Sequence, residues 1–479
     1  MNTLLEKYTL EAHVKHYSLI LFAALFLLTT GTVHGEEENG MAGPDLSGIE
    51  VLDLNTAQKL ALESNPTMSA ALARVDQARA RIDQAKATWW PSLDVTGSGG
   101  QTRMSDNAWR SSQALANLYG QSIDRTSDDY ALGVQASWLL FDGFYRSLRN
   151  EQAKYGEQSS EAARRDIQRL LVSAVAEAFF NAQLAQTNVK IAEADKEFYT
   201  KQLQDAQNRF DVGAGPWGDV LNIKVQLNSA KTNFMFSGRE FEAASYGLAA
   251  LMGIPEAELP SHVTLAPLDT GFDVSAQGDE PQQLIEEALE LRPDVKEMVI
   301  RVKEAEVGTE MAKAPFYPRL QLTGAVNGAR QGDVSMTGED FGNTVLLNLS
   351  WNLFAGGADK ARKIEAEHGY REAKYILANL RNQVASDVRR DMALLEAARE
   401  QVRLQRESVK LVEENRDLAR NEYEAGEASL VRLNEAQRDL TTTFSRLAQS
   451  LVGYHQARQR LLASTGRNIA DFVTASQGE

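Results

Sequence analysis

The sequence contains no cysteine. That absence excludes disulfides, thiol catalysis, cysteine-ligated zinc and a lipid-modified N-terminal cysteine. Basic residues are outnumbered, with 50 Lys+Arg against 66 Asp+Glu and a net charge of −16. A nucleic-acid partner would need a basic face, so this balance argues against one. Long apolar runs are missing too. Ser18 to Leu28, about 11 residues, is too short to span a bilayer as a helix and suits a signal-peptide core. Glu6 and Glu11 before it are unusual for such a segment, and Lys7 and Lys15 only partly offset them, which raises an assigned start upstream of the true one. Small residues around Val33-His34-Gly35 place cleavage near Gly35. Residues 1–35 are therefore expected to be a signal peptide and the mature chain to be exported.

Catalytic groups are scarce as well. After the signal segment only His262, His368 and His455 remain, and they are scattered. There is no HExxH, P-loop or nucleophile-elbow pattern. Gly213-Ala214-Gly215-Pro216-Trp217-Gly218 formally matches GxGxxG. It follows a long helical stretch rather than a strand, so a helix-to-helix turn is the better reading. Glu286-Glu287 and Glu413-Glu414 read as solvated helix faces. No enzyme, metal or cofactor is expected.

What the chain does have is a repeat. Asn65-Pro66 and Lys86-Ala87-Thr88-Trp89-Trp90-Pro91 return as Arg292-Pro293 and Lys313-Ala314-Pro315-Phe316-Tyr317-Pro318, at a constant offset of 227 (293 − 66, 318 − 91). Trp138-Leu139-Leu140-Phe141-Asp142-Gly143 returns as Trp351-Asn352-Leu353-Phe354-Ala355-Gly356 at an offset of 213 (351 − 138). One indel of 14 residues (227 − 213), between Gly97 and Trp138, separates the copies. Such self-similarity marks a duplicated structural unit. Each copy reads as helix, strand, loop, strand, long helix and returning helix.

The strands alternate. Leu93 and Val95, then Tyr130, Leu132, Val134, Ala136, Trp138 and Leu140, share an apolar face, with Gln135 and Ser137 opposite. Leu320, Leu322 and Val326, then Val345, Leu347, Leu349, Trp351 and Leu353, repeat the pattern against Thr323, Asn348 and Ser350. Dyad strands of about 10 residues match a membrane barrel, although alternation alone also suits a soluble half-buried sheet. Aromatic placement favours the barrel. Trp89, Trp90, Phe316 and Tyr317 stand where strands begin, and Trp138, Phe141, Trp351 and Phe354 where their partners end. In an up-and-down sheet all eight fall at one end, as an interfacial girdle would. The connecting loops, Gly99 to Asp129 and Asn327 to Asn343, are polar and would lie at the outer end.

Helices fill the rest. From about Ser147 to Phe210, and again from about Asp359 to Tyr423, apolar residues follow alternating three- and four-residue steps without a proline. That is a coiled-coil seam, broken once at Lys196. Asp219 to Leu251 and Leu430 to Thr465 read as returning helices. Ile254 to Glu280 carries Pro255, Pro260 and Pro267 and reads as irregular, and Glu36 to Asp53 as mobile. The expected organisation is a signal peptide (1–35), a first repeat (36–253), a linker (254–280), a second repeat (281–466) and a tail (467–479).

These features together resemble the TolC-type outer-membrane channel family. The resemblance is carried by the duplicated unit, Asn65-Pro66, Pro91-Ser92-Leu93 and Pro318-Arg319-Leu320. Asn348 to Gly357 and Arg209-Phe210-Asp211-Val212-Gly213 followed by Asp219-Val220 add to it. It extends from about Leu52 to Gly466. It implies a mixed α/β membrane protein in which three chains, four strands each, close a 12-stranded β-barrel continued by an α-helical periplasmic tunnel. It implies a passive exit duct in the outer membrane of a Gram-negative cell, serving tripartite efflux or type I secretion. The implied partners are two further copies, a periplasmic adaptor, an inner-membrane pump or ABC transporter, and outer-membrane lipid. Asp219 and Tyr423 match positions that close the family's periplasmic mouth. Arg432 and Glu435 fall where the prototype has a constricting acidic ring. Arg432 and Ala428 depart from the family pattern, and Arg432 with Glu435 also reads as an ordinary i,i+3 helix pair. The turns Val212-Gly213-Ala214 and Ala425-Gly426-Glu427 match the region where adaptors dock. A soluble periplasmic coiled-coil adaptor or structural rod is the alternative.

Overall fold

The computed structural model describes residues 43–274, 280–332 and 334–473. The expected signal segment and the last residues of the expected tail lie outside them. The chain runs through β1 (Val51–Leu52), α1 (Leu54–Ser64), α2 (Pro66–Ala87), β2 (Ser92–Arg103), α3 (Asp106–Asn117), β3 (Thr126–Phe141), α4 (Tyr145–Asp211) and α5 (Trp217–Leu251). It continues with β4 (Thr264–Leu265), α6 (Pro281–Leu291), α7 (Pro293–Met311), β5 (Arg319–Gln331), β6 (Phe341–Ser350), α8 (Ala358–Glu424), α9 (Leu430–Thr465) and α10 (Ala470–Val473).

Strands β2, β3, β5 and β6 form one antiparallel sheet in that order. The register joins the two copies at β3–β5, with Val134 opposite Val326 and Trp138 opposite Leu322. It also sets Leu93 against Ala136 and Leu322 against Leu347, so the apolar residues of all four strands share one face. The register slips past Leu139, so Phe141 rather than Leu140 stands opposite Leu320. A bulge of this kind bends a strand out of its ladder, here into the turn that starts α4.

Helices continue the sheet in the same order, α2 against α4, α4 against α7, and α7 against α8. Helices α4 and α8 are 67 residues each, roughly 100 Å at 1.5 Å per residue. Their seams are buried at small residues, among them Ala182, Ala185, Ala192 and Ala206 on α4 and Ala419 on α8. Lys196, the one break in the seam, lays its ammonium 3.8 Å from the ring centre of Phe234 on α5. The stem thus packs while the charge meets a π face.

The motifs Asn65-Pro66 and Arg292-Pro293 are kinks between paired helices. Each proline occupies a first turn, where its missing N–H is no loss. Asn65 caps α2 by accepting from the Thr67 N–H and donates to the Leu251 carbonyl at the end of α5. Arg292 donates to the Ser464 carbonyl at the end of α9, so both copies tie a kink to a returning helix. Gly253 makes that approach possible. Its φ is +73°, and a Cβ there would lie 2.5 Å from the Ser64 carbonyl oxygen.

Three expectations are corrected. Residues 44–53 are held rather than loose. Leu46 and Leu52 are buried in the core, and β1 pairs in parallel with β4 across the linker. The loop from Gly99 to Asp129 is not plain, because its inserted residues form α3, capped by the Ser105 hydroxyl. Ahead of the helices that begin at Pro66 and Pro293, two further helices, α1 and α6, precede the kinks, which the reading of one helix per copy before the strands did not include.

Candidate functional site: the aromatic belt and the helix tips

Among the described residues no helix is long and apolar enough to cross a membrane. The sheet is the element that fits lipid. Leu93, Val95, Leu132, Val345, Leu347 and Leu349 are all exposed on its apolar face, with Val345 at 79%. An uncovered apolar surface of that size is unstable in water and natural in a bilayer. Among the described residues the outer edges of β2 and β6 have no partner strand.

The belt aromatics cluster where strands meet helices. Trp89, Trp90, Trp138, Phe316, Tyr317, Trp351 and Phe354 are exposed there, and Phe141 is half-buried. The two copies hold their tryptophans alike. Trp138 donates from Nε1 to the Trp89 carbonyl at 3.0 Å, and Trp351 donates to the Phe316 carbonyl at 3.1 Å. Each ring is thus fixed between two strand ends with its polar atom satisfied, as suits a membrane interface. Phe144 packs edge-on against Phe141 and Tyr317. Beneath them the buried Arg146 pairs with Asp142 and bonds the Thr88 and Leu140 carbonyls, with its guanidinium 4.5 Å from the Trp89 ring centre. Sequence reading missed this pair. Its signal was an Asp and an Arg four residues apart between belt aromatics.

At the opposite end of the helices lie two matching turns. Ala214 N–H donates to the Arg209 carbonyl at 2.8 Å, and Glu427 N–H to the Glu422 carbonyl at 2.8 Å. Gly213 and Gly426 sit at φ +73° and +81° with open space beyond them. These are Schellman endings, in which glycine supplies the left-handed residue. Val212 is 78% exposed, and Ala214, Ala425 and Glu427 lie on the same accessible turns.

Tyr423 is half-buried against the tip core formed by Tyr199, Ala206, Val220, Ile223, Leu227 and Leu430. Burial pushes its phenol above the usual value of 10, the negative charge of Asp219 adds to that, and Arg209 opposes it. The Arg209 guanidinium stands 5.0 Å from the Tyr423 ring centre. Asp219 and Tyr423 are therefore electrostatic neighbours, but among the described residues no hydrogen bond joins them within one chain. Arg432 and Glu435 do not form the expected i,i+3 pair. Arg432 instead reaches Glu422 on α8 at 2.9 Å, closing the turn between α8 and α9. The carboxylate four residues before the tip glycine is within easier reach than a neighbour on the same helix. Glu435 is exposed.

A lipid-fitting sheet, an aromatic interface and a long helical extension ending in tight turns define a membrane-anchored wall of a conduit. The chain belongs to the outer membrane efflux protein family, whose model matches residues 57–254 and 284–467. It is 27% identical over 413 residues to the alkaline protease secretion protein AprF of Pseudomonas aeruginosa, with 83% of each chain covered. It is also 27% identical over 398 residues to the probable efflux pump outer membrane protein TtgC of Pseudomonas putida, covering 82% of this chain and 77% of that one. Its fold matches the solved outer-membrane channel OprN with a TM-score of 0.70 at 22% identity, covering 86% of this chain and 89% of the other. The chain is thus an outer-membrane export protein with the channel fold.

Proposed function

We propose that three copies of this chain close a 12-stranded barrel in the outer membrane and form a passive exit duct from the periplasm. The observation that carries the reading is the exposed apolar face on a four-stranded sheet whose two edges have no partner strand among the described residues. Lipid does not tolerate open edges, and three copies remove them with an even strand count. The 67-residue helices α4 and α8 extend the duct into the periplasm. AprF is named for protease secretion and TtgC for efflux. Both names describe export, and TtgC's also places it at the outer membrane; exit across that membrane is the step assigned here. A periplasmic adaptor docks at Val212 to Ala214 and Ala425 to Glu427, and an inner-membrane pump or ABC transporter supplies the energy. Asp219, Tyr423 and Arg432 hold the mouth closed, and Glu435 lies on the same opening. The chain itself performs no chemistry. Reconstitution into planar bilayers tests the duct. Discrete ion-conducting steps are expected, and an electrically silent bilayer containing correctly folded protein would reject it.

A further inference from the structure

Where strands pass into helices, the polar face of the sheet opens on a cavity of about 880 Å³. Its wall includes Leu139, Arg319 and Ser350, and the register sets Leu139 against Gln321 and Arg319 against Ser350. These strand residues alternate with Trp138, Leu320 and Leu349, so they face away from lipid, and Tyr317 and Trp351 of the belt also line the cavity. Four arginines line it, Arg146, Arg149, Arg319 and Arg362, against a single carboxylate, Asp142. Asp142 is already matched by Arg146 at 3.2 Å. Arg362 shares Asp359 at 2.9 Å, and Asp359 also accepts from Asn352. Arg149 and Arg319 are exposed, and among the described residues neither is paired with an acid. The first turn of α4 forms part of the wall and carries no acidic residue. The Asp142 carboxylate already accepts from the Arg146 N–H of that turn, so the excess of positive charge rests on the two uncompensated guanidinium groups.

Guanidinium donors lie in a plane and match paired oxygens on one atom, as in phosphate, sulfate and carboxylate. A local excess of positive charge is notable in a chain whose net charge is −16. We propose that this cavity is an anion-binding station on the duct wall, taking soluble cargo that carries phosphate, sulfate or clustered carboxylate groups. Its place in a duct rests on the function proposed above; its capacity to bind an anion does not.

Two measurements separate those claims. The first is calorimetric titration of the full, detergent-solubilised protein with inorganic tripolyphosphate. Saturable binding is expected, weakened about tenfold or more in the double variant Arg149→Gln/Arg319→Gln through loss of two charged contacts. Arg149→Lys/Arg319→Lys, which keeps the charge, should retain part of the affinity. Circular dichroism and detergent-resistant assembly check that each variant is folded. Equal affinity in wild type and the glutamine variant, or no binding by folded wild type, overturns the station. The second measurement adds tripolyphosphate to single channels from the outer side. Current block in wild type that the glutamine variant loses places the station in the duct. Binding without block keeps the site and contradicts its place on the conduit wall.

Discussion

Replacing Arg432 with alanine removes the 2.9 Å contact from its Nε to the Glu422 carboxylate. That contact bridges the last turn of α8 and the first turn of α9, so it resists splaying of the tip. Side-chain exposures of 48% and 30% keep water at both groups. The pair is therefore worth about 0.2–1 kcal/mol per copy, well below a buried one. The turn itself should survive, because the Glu422 carbonyl still accepts from the Glu427 and Ala428 N–H groups. Three copies opening in concert would sum to about 0.6–3 kcal/mol, a shift in the closed-to-open ratio of roughly 3-fold to 150-fold. Single-channel open probability in planar bilayers should rise accordingly in Arg432→Ala. The exchanged pair Glu422→Arg/Arg432→Glu should restore most of the closed state. At about 1 M salt, where screening acts over roughly 3 Å, wild type and variant should converge. An open probability unchanged in Arg432→Ala at low salt, or an exchanged pair as leaky as the alanine variant, would refute the reasoning.

Other outcomes follow from the same structure. Asp219→Ala with Tyr423→Phe removes the two neighbours at the proposed mouth and should raise conductance and sensitise cells to large antibiotics; unchanged conductance would assign closure to other residues. Trp138→Arg should weaken membrane assembly by about 1–3 kcal/mol, because it sets a charge near the interface and leaves the Trp89 carbonyl without its donor; wild-type yield in the outer membrane would count against the belt. His455 stacks on Phe180 with ring centres 5.0 Å apart and meets Phe272 of the linker at 4.7 Å. Burial, aided by Arg458, lowers its pKa below 6.5, while Asp269 opposes the shift. The folded state thus binds fewer protons than the unfolded one, so its stability is full above pH 6.5 and falls as pH drops through and below that value. Thermal melts of wild type should decline over that window more steeply than those of His455→Gln, and parallel curves would contradict the assignment.

The long elements were legible because their signals are local. Helix α9 runs from Leu430 to Thr465 as its periodicity predicts, and α5 ends at Leu251. Two features make such ends readable, an unbroken apolar step and a left-handed glycine after it. The strand faces were legible for the same reason, since a period of two survives in any register that keeps one face in lipid. Contacts between distant segments left no such trace. The two-residue strands β1 and β4 pair across more than two hundred positions, and neither Val51-Leu52 nor Thr264-Leu265 is long enough to show alternation. Helix α3 was missed because the extra length was read only as an insertion, although Asp106 to Asn117 is amphipathic and follows a capping serine, Ser105. At the tip the motif located Asp219, Tyr423 and Arg432, but Arg432 could not be paired by spacing. Its partner Glu422 is 10 positions away, across a turn whose closure only the folded backbone defines. The Asp142–Arg146 pair was missed for a related reason. Four-residue spacing is common on exposed helices, and only burial under Trp89 marks this one out.

The claim at the centre of the proposed duct is closure of the barrel by three copies. Native mass spectrometry of the protein extracted in mild detergent, with circular dichroism on the same sample, tests it directly. The account predicts a complex of three chains that keeps its strand and helix signal and falls apart only on heating. A stable single chain with the same secondary structure would mean that the edges of β2 and β6 need no partner, and would contradict the account.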